Sequence, residues 1–215
     1  MYSSSYSAAA YLTRYPMKPE QKAFVIGHSG IDEELALHDI PYISGGTFRG
    51  AKIEFGPGVR VDHDSDVGAV VVGGDLEFNY YKIQYAQLCL NTNEGCRFIA
   101  TNTDRVAHIT EDQEWAEAGA TVGAIKGCTG KDPIIVGKPS SFLVEHILDK
   151  YPSIVRSRDR ICMVGDNLDT DILFGLNNGL KTVLVLSGVT SEEQLANRDS
   201  QTRPHYVCNS IRDLI

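Results

Sequence analysis

Val164-Gly165-Asp166-Asn167-Leu168-Asp169-Thr170-Asp171 decides how this chain is read. It follows an apolar segment, Arg160-Ile161-Cys162-Met163-Val164, and runs into Ile172-Leu173-Phe174-Gly175. The pattern is a buried strand, a tight polar turn and an apolar helix over 170–178. Gly179 predicts a left-handed stop, and Thr182 to Leu186 predicts the returning strand, so the whole makes one βαβ unit. Open parallel sheets hold ligands outside the carboxyl ends of their strands, and Asp166 stands at such an end. Hard carboxylate oxygens there suit Mg²⁺, which takes one or two of them and keeps room for water and a substrate phosphate. The plainer alternatives are that Asp166 caps the following helix and that Asp171 is a first-turn acid offsetting the helix dipole.

A second element lies upstream in Ile134-Ile135-Val136-Gly137-Lys138-Pro139. A lysine brought to the same rim by a strand end would neutralise a phosphoryl group. Read in isolation, Lys138 would be a surface lysine at a turn. The rest of the chain alternates strands and helices and predicts an α/β fold. Lys22–Ile26, Val67–Val72 and Cys96–Thr101 read as strands, and Val67–Val72 is apolar enough to be covered on both faces. Ile31–His38 and Asn79–Leu90 read as helices, the second with a stripe of Tyr80, Ile83, Ala86, Gln87 and Leu90. Glu114–Ile125 reads as a helix weakened by Gly119 and Gly123. Pro41 to Asp66 reads as loop, and its Asp62-His63-Asp64-Ser65-Asp66 run as a solvated acidic turn. Ser140–Lys150, Ser191–Leu195 and His205–Cys208 complete the order as two helices and a last strand.

Gly137-Lys138-Pro139 followed by Gly165-Asp166-x-x-x-Thr170-Asp171 resembles the third and fourth motifs of the haloacid dehalogenase-like phosphatases. The match is to the subgroup that contains 4-nitrophenyl, phosphoglycolate and pyridoxal phosphatases. The resemblance covers nearly the whole chain, since Ser3 to Leu12 looks like the helix leading into that subgroup's large cap. It implies three regions: residues 1–8 as a remnant of the core–cap linker helix, 9–130 as an α/β cap, and 131–215 as the C-terminal part of a Rossmann-like parallel-sheet core. It implies Mg²⁺-dependent hydrolysis of small phosphate monoesters, with Asp166 as metal ligand and Lys138 and Asp171 as catalytic residues, Asp171 holding Lys138 or a metal-bound water. Asn102, Asp104 and His108 follow a cap strand, and by the same analogy choose the substrate. A polar surface loop is their plainer reading. The implied partners are a small phosphorylated metabolite and a second copy of the chain joined through the cap.

The family's nucleophile is the first aspartate of an Asp-x-Asp-Gly motif, and these 215 residues contain no such motif. The expectation is therefore a truncated phosphatase, inactive by itself. The alternative is a non-catalytic binding or regulatory module derived from the same family. Loss of the nucleophile's strand would leave Arg160–Val164 as an apolar sheet edge.

The net charge of −8 argues against a general nucleic-acid or membrane-surface binder. No apolar run approaches the length of a membrane span. Five cysteines, an odd number without a Cys-x-x-Cys, argue against a disulfide scaffold or a structural zinc site and predict a reducing cytoplasm.

Overall fold

Val67–Val72 organises the first half of the chain. In the computed structural model, which describes residues 2–107, 109, 110, 112–152 and 158–214, all six of these residues are buried. Around them lie β1 (Lys22–Ile26), β2 (Tyr42–Ile43), β3 (Val67–Val72 itself) and β4 (Arg97–Ala100). Val106–Ala107 (β5) and Trp115–Ala116 (β6) make a separate two-stranded ribbon, and Ile134–Ile135 forms β7. The five-stranded sheet has the order β2-β1-β3-β4-β7 with every pair parallel. Helices α1 (Ser4–Arg14), α2 (Ser29–Leu37), α3 (Tyr80–Thr92) and α4 (Ala118–Thr129) belong with it. Parallel strands need covered faces, which is why β3 carries no polar side chain.

Local chemistry sets the helix ends. Ser3 accepts the Tyr6 N–H at 3.0 Å and starts α1, whose Ala8, Ala9 and Ala10 are buried against α2. Asn79 accepts the Lys82 N–H at 3.1 Å and starts α3. The face that α3 buries is Lys82, Tyr85, Ala86, Cys89 and Leu90, with Tyr80 left 58% exposed. The stripe expected from apolar spacing is thus rotated. Lys82 turns inward because Asp75 Oδ2 meets its Nζ at 2.7 Å, and Tyr85 packs its ring 4.6 Å from that of Phe24. The helix expected over 114–125 begins instead at Ala118, after β6, and ends at Gly130 with φ +67°. Gly119 is what lets α4 dock: a Cβ there would stand 2.9 Å from the Thr103 carbonyl oxygen and 2.8 Å from that of Asp104. The acidic run is the largely exposed turn that the sequence predicts, and it is tied down on one side. Lys22 Nζ lies 3.3 Å from Asp64 and 3.2 Å from Asp66, and Tyr85 donates its hydroxyl to Asp64 at 3.1 Å.

The second sheet is smaller. Strands β8 (Cys162–Gly165), β9 (Lys181–Val185) and β10 (Tyr206–Cys208) run parallel in the order β10-β9-β8. Helices α5 (Phe142–Lys150), α6 (Leu173–Asn177) and α7 (Glu192–Ala196) accompany them. Ser191 and Gln194 form a reciprocal capping box at the start of α7. The core is divided between Val144, Leu148, Phe174 and Leu180 in one patch and Leu168, Ile172 and Leu184 in another. Gly179, at φ +67°, ends the helical stretch as its sequence position predicts. Among the described residues β8 pairs with β9 alone, so it is a sheet edge with Cys162 exposed.

The chain divides into two compact units, Met1–Arg105 with Ala116–Val136, and Val106–Trp115 with Gly137–Ile215. Residues 134 and 135 fall in the first because β7 continues its sheet, with Ile134 opposite Ile99 and Ile135 opposite Ala100. No helix among the described residues is long and apolar enough to cross a membrane.

Candidate active site

Strand β8 ends at Gly165, and the chain then makes one wide turn before α6. The N–H groups of Asp171 and Ile172 both donate to the Asn167 carbonyl at 3.0 Å, so the first turn is opened by one residue. Such widened turns recur at functional sites because they re-aim side chains that a regular helix would point elsewhere. Leu168, Thr170, Asp171 and Ile172 are buried by it, while Asp169 faces solvent. The hydroxyl of Thr170 is buried without a hydrogen-bond partner among the described residues.

Asp171 is the hub. Its Oδ2 accepts the main-chain N–H groups of Asp166 at 3.1 Å and Asn167 at 3.2 Å. Its Oδ1 accepts from Lys138 Nζ at 2.7 Å. The acid side chain is 6% exposed and the lysine 37%. Burying a carboxylate is costly unless it is paired and hydrogen-bonded, and here one oxygen has a cation and the other two amides. Gly165 makes room for it, because a Cβ at that position would overlap the Asp171 carboxylate.

Asp166 is held from the other side. Its Oδ2 accepts the Val189 N–H at 3.0 Å, and its carbonyl accepts the Thr190 N–H at 3.2 Å. A Cβ on Gly188 would overlap the Asp166 carboxylate, so the segment after β9 can close on Asp166 only with glycine there. Sequence reading did not single out Gly188. The available signal is the parallel register of Gly165 with Leu184, which sets the residues following β9 beside those following β8. Asp169, which faces solvent, is also paired: its Oδ1 lies 2.7 Å from Nη1 of Arg198, a residue that nothing in the local sequence marks.

Lys138, Asp166 and Asp171 are therefore assembled in one place within the second unit. Asn102 and Asp104 belong to the first unit, where Asn102 Oδ1 accepts the Asp104 N–H at 2.9 Å and Asp104 O accepts the Gly119 N–H at 2.8 Å. These bonds shape the turn after β4. His108 lies outside the described residues.

As a donor set for a cation, the turn offers one carboxylate oxygen of Asp166 that no hydrogen bond reaches among the described residues. Asp171 is committed to Lys138 and to main-chain amides. No cluster of three or more His, Cys, Asp or Glu that could hold a metal occurs among the described residues. One carboxylate with open neighbouring positions fits Mg²⁺, which keeps several waters, and does not fit a metal that demands an all-protein cage.

The HAD-hydrolase-like family model matches residues 135–214, which span both the lysine and the acidic turn. Over its full length the chain is 48% identical to phosphoglycolate phosphatase 1A, chloroplastic, of Arabidopsis thaliana, and spans 59% of that protein's length. It is 45% identical to phosphoglycolate phosphatase 2 of the same plant, and covers 70% of it. Among solved structures, p-nitrophenyl phosphatase from Archaeoglobus fulgidus superimposes with a TM-score of 0.72 at 31% identity, over 98% of this chain and 72% of that one. A glycerol phosphate phosphatase from Mycobacterium tuberculosis in complex with magnesium gives 0.73 at 26% identity, over 98% and 56%. With identity at this level sustained from end to end, and the lysine and acidic turn where the matched model lies, the chain belongs to the haloacid dehalogenase-like phosphatase family, in the group of the phosphoglycolate and 4-nitrophenyl phosphatases.

Proposed function

We propose that these 215 residues supply the charge-stabilising half of a centre that hydrolyses small phosphate monoesters of the phosphoglycolate or 4-nitrophenyl phosphate kind. The observation that carries this is the Lys138–Asp171 pair at 2.7 Å, with the same acid bracing the amides of Asp166 and Asn167. Asp171 fixes Lys138 so that its ammonium can meet the anionic oxygens of a phosphoryl group without moving. Asp166 would hold Mg²⁺, which, when bound, supplies further positive charge to those oxygens. The attacking carboxylate that covalent phosphoryl transfer requires is not among Asp166 and Asp171, which are committed to support. The chain as it stands is thus proposed to be inactive alone. Asn102, Asp104 and His108 are proposed to choose the substrate, with residues 9–130 in the role of a cap and residues 131–215 in that of the core. Pairing of two copies through that cap and a cytoplasmic location belong to the same reading. The five cysteines, all free, are in keeping with a reducing compartment.

The test is hydrolysis of 4-nitrophenyl phosphate and phosphoglycolate with Mg²⁺. The 215-residue chain is expected to give background rates. A version extended at its N-terminus by a strand bearing Asp-x-Asp-Gly is expected to turn over, and to lose that turnover with Lys138→Ala. Mg²⁺-dependent activity in the unextended chain would overturn the division of labour. A folded but inert extended version would favour the other reading, a non-catalytic binding module, which the absence of Asp-x-Asp-Gly from the 215 residues supports.

A further inference from the structure

Three carboxylates fall within six residues of the acidic turn: Asp166, Asp169 and Asp171. Left uncompensated they would repel one another and compete for any cation. Each has its own counterpart. Asp171 has Lys138, and Asp166 has main-chain amides on one oxygen. Asp169 has Arg198, at 2.7 Å. We infer that Arg198 is a positioning residue for the metal carboxylate: by holding the exposed Asp169 it pins the Asn167–Ile172 turn against the segment that also holds Asp166.

Arg198 is itself built in. Its N–H donates to Leu195 O at 3.2 Å, closing the end of α7, and its carbonyl accepts from Arg203 Nε at 3.2 Å. Arg203 Nη2 also donates to Ala196 O at 2.9 Å. The same segment, starting ten residues earlier at Gly188, carries the Val189 and Thr190 amides that hold Asp166. Residues 188–198 therefore grip the acidic turn twice, once by main chain at Asp166 and once by side chain at Asp169. Asn167 links the two grips, since its Oδ1 accepts the Asp169 N–H at 2.9 Å while its own N–H goes to Asp171. The guanidinium contact is single, not forked: Nε of Arg198 is buried without a partner among the described residues. A point charge at that position should therefore serve nearly as well, which separates a charge effect from one of shape.

This inference rests on reading Asp166 as the metal carboxylate, and its test is arranged so that the two can fail separately. Amide-resolved hydrogen exchange on the intact 215-residue chain reports the grip without any metal. Arg198→Ala is expected to speed exchange at Asp166, Asn167 and Val189 by roughly two- to fivefold, the range of a partly exposed ion pair, with β3 amides unchanged. Asp169→Asn should do the same, the double variant should be no worse than either single one, and Arg198→Lys should restore slow exchange. Titration with Mn²⁺ alone, followed by paramagnetic broadening at Asp166, should show affinity falling by a similar factor in Arg198→Ala and recovering in Arg198→Lys. Unchanged exchange in Arg198→Ala, or failure of the lysine variant to recover it, would overturn the positioning role. Absence of Mn²⁺ broadening in the unmodified chain would instead overturn the metal reading, and exchange would still decide the grip.

Discussion

Strands β3 and β8 are built from similar residues and live in different circumstances. Val67–Val72 is paired on both sides and buried throughout. Cys162–Gly165 is paired on one side among the described residues, and only part of each residue is covered. The first belongs to a continuous core that includes Phe24, Ile26, Tyr85, Leu90, Phe98 and Ile125. The second is supported by two small apolar patches and by the polar ties of the acidic turn. The lesson is that the first unit is held by packing, whereas the end of β8 that carries Asp166 is held by hydrogen bonds and charge. A site of this kind needs the polar ties for its geometry and keeps little apolar reserve.

The largest expected effect breaks the first side of that contrast. Phe24 is fully buried, with the Tyr85 ring centred 4.6 Å away and the Phe48 ring 5.9 Å away. Phe24→Ala should cost about 4 kcal/mol, through lost transfer energy and an unfilled cavity. Denaturant unfolding measures the loss. In native-state hydrogen exchange the unmodified chain should show slower amides in Val67–Val72 than in Cys162–Gly165, and the substitution should raise the first set far more than the second. Equal protection of both strands would end the comparison.

Asp171→Ala breaks the second side. It removes the Lys138–Asp171 bond and releases two amides of the turn. Loss of one partner of a fully buried pair costs more, but Lys138 is 37% exposed and water can take over part of its hydration. The expected cost is about 2 kcal/mol, between the values for buried and surface pairs. It should be confined to amides of residues 165–173 in hydrogen exchange. A loss that spread to β3 would show that the two units unfold together.

How much of this was legible in the sequence follows the same division. Apolar runs marked β1, β3, β4 and β9 within a residue or two, because burial on both faces leaves little freedom in side-chain choice. Lys138 and Asp166 were legible because a strand end followed by a glycine or an acid is a local pattern, and Asp171 because Gly165-Asp166-x-x-x-Thr170-Asp171 resembles the family's fourth motif. What escaped depends on partners distant in sequence. Lys82 is buried because of Asp75, so the stripe of Tyr80, Ile83, Ala86, Gln87 and Leu90 was rotated. Helix α4 starts late because Gly119 must meet the carbonyls of Thr103 and Asp104. The pairing of Asp169 escaped because Arg198 lies 29 residues on. The role of Gly188 is visible only once β9 is set beside β8.

Gly188→Ala sharpens the comparison with a smaller change. The added methyl would overlap the Asp166 carboxylate, so either Asp166 or the 187–190 segment must shift. Overpacking of this kind costs about 1–3 kcal/mol. The informative readout is local: the Val189 amide should lose its protection as its bond to Asp166 Oδ2 opens. Gly127→Ala, placed where a Cβ meets nothing within 4 Å in the first unit, is the control. It should be neutral or slightly stabilising, since alanine favours the helix that glycine weakens.

The smallest expected effect is a polar group in the first unit that works against stability. Burial pushes the Asp32 carboxyl above the usual carboxylate range, the Ser44 hydroxyl donating at 2.5 Å draws it partly back, and the charge of Glu33 raises it again. A carboxyl whose folded value is raised binds its proton more tightly folded than unfolded. Its favourable contribution is complete below the unfolded value, near pH 4, and is lost as pH rises through the folded value. At neutral pH Asp32 is therefore ionised at a cost. Asp32→Asn keeps an oxygen for Ser44 and removes the charge, so it should stabilise the protein at pH 7 by a modest amount. The gain should vanish below pH 4, where the native acid is neutral too. Position argues the other way, because Asp32 lies in the first turn of α2, where a negative charge is favoured by the helix dipole. Unfolding midpoints of both proteins between pH 3 and 8 decide which term dominates: a variant less stable than the native chain at pH 7 would mean that the dipole outweighs burial, and that even in the well-packed unit this acid is a support.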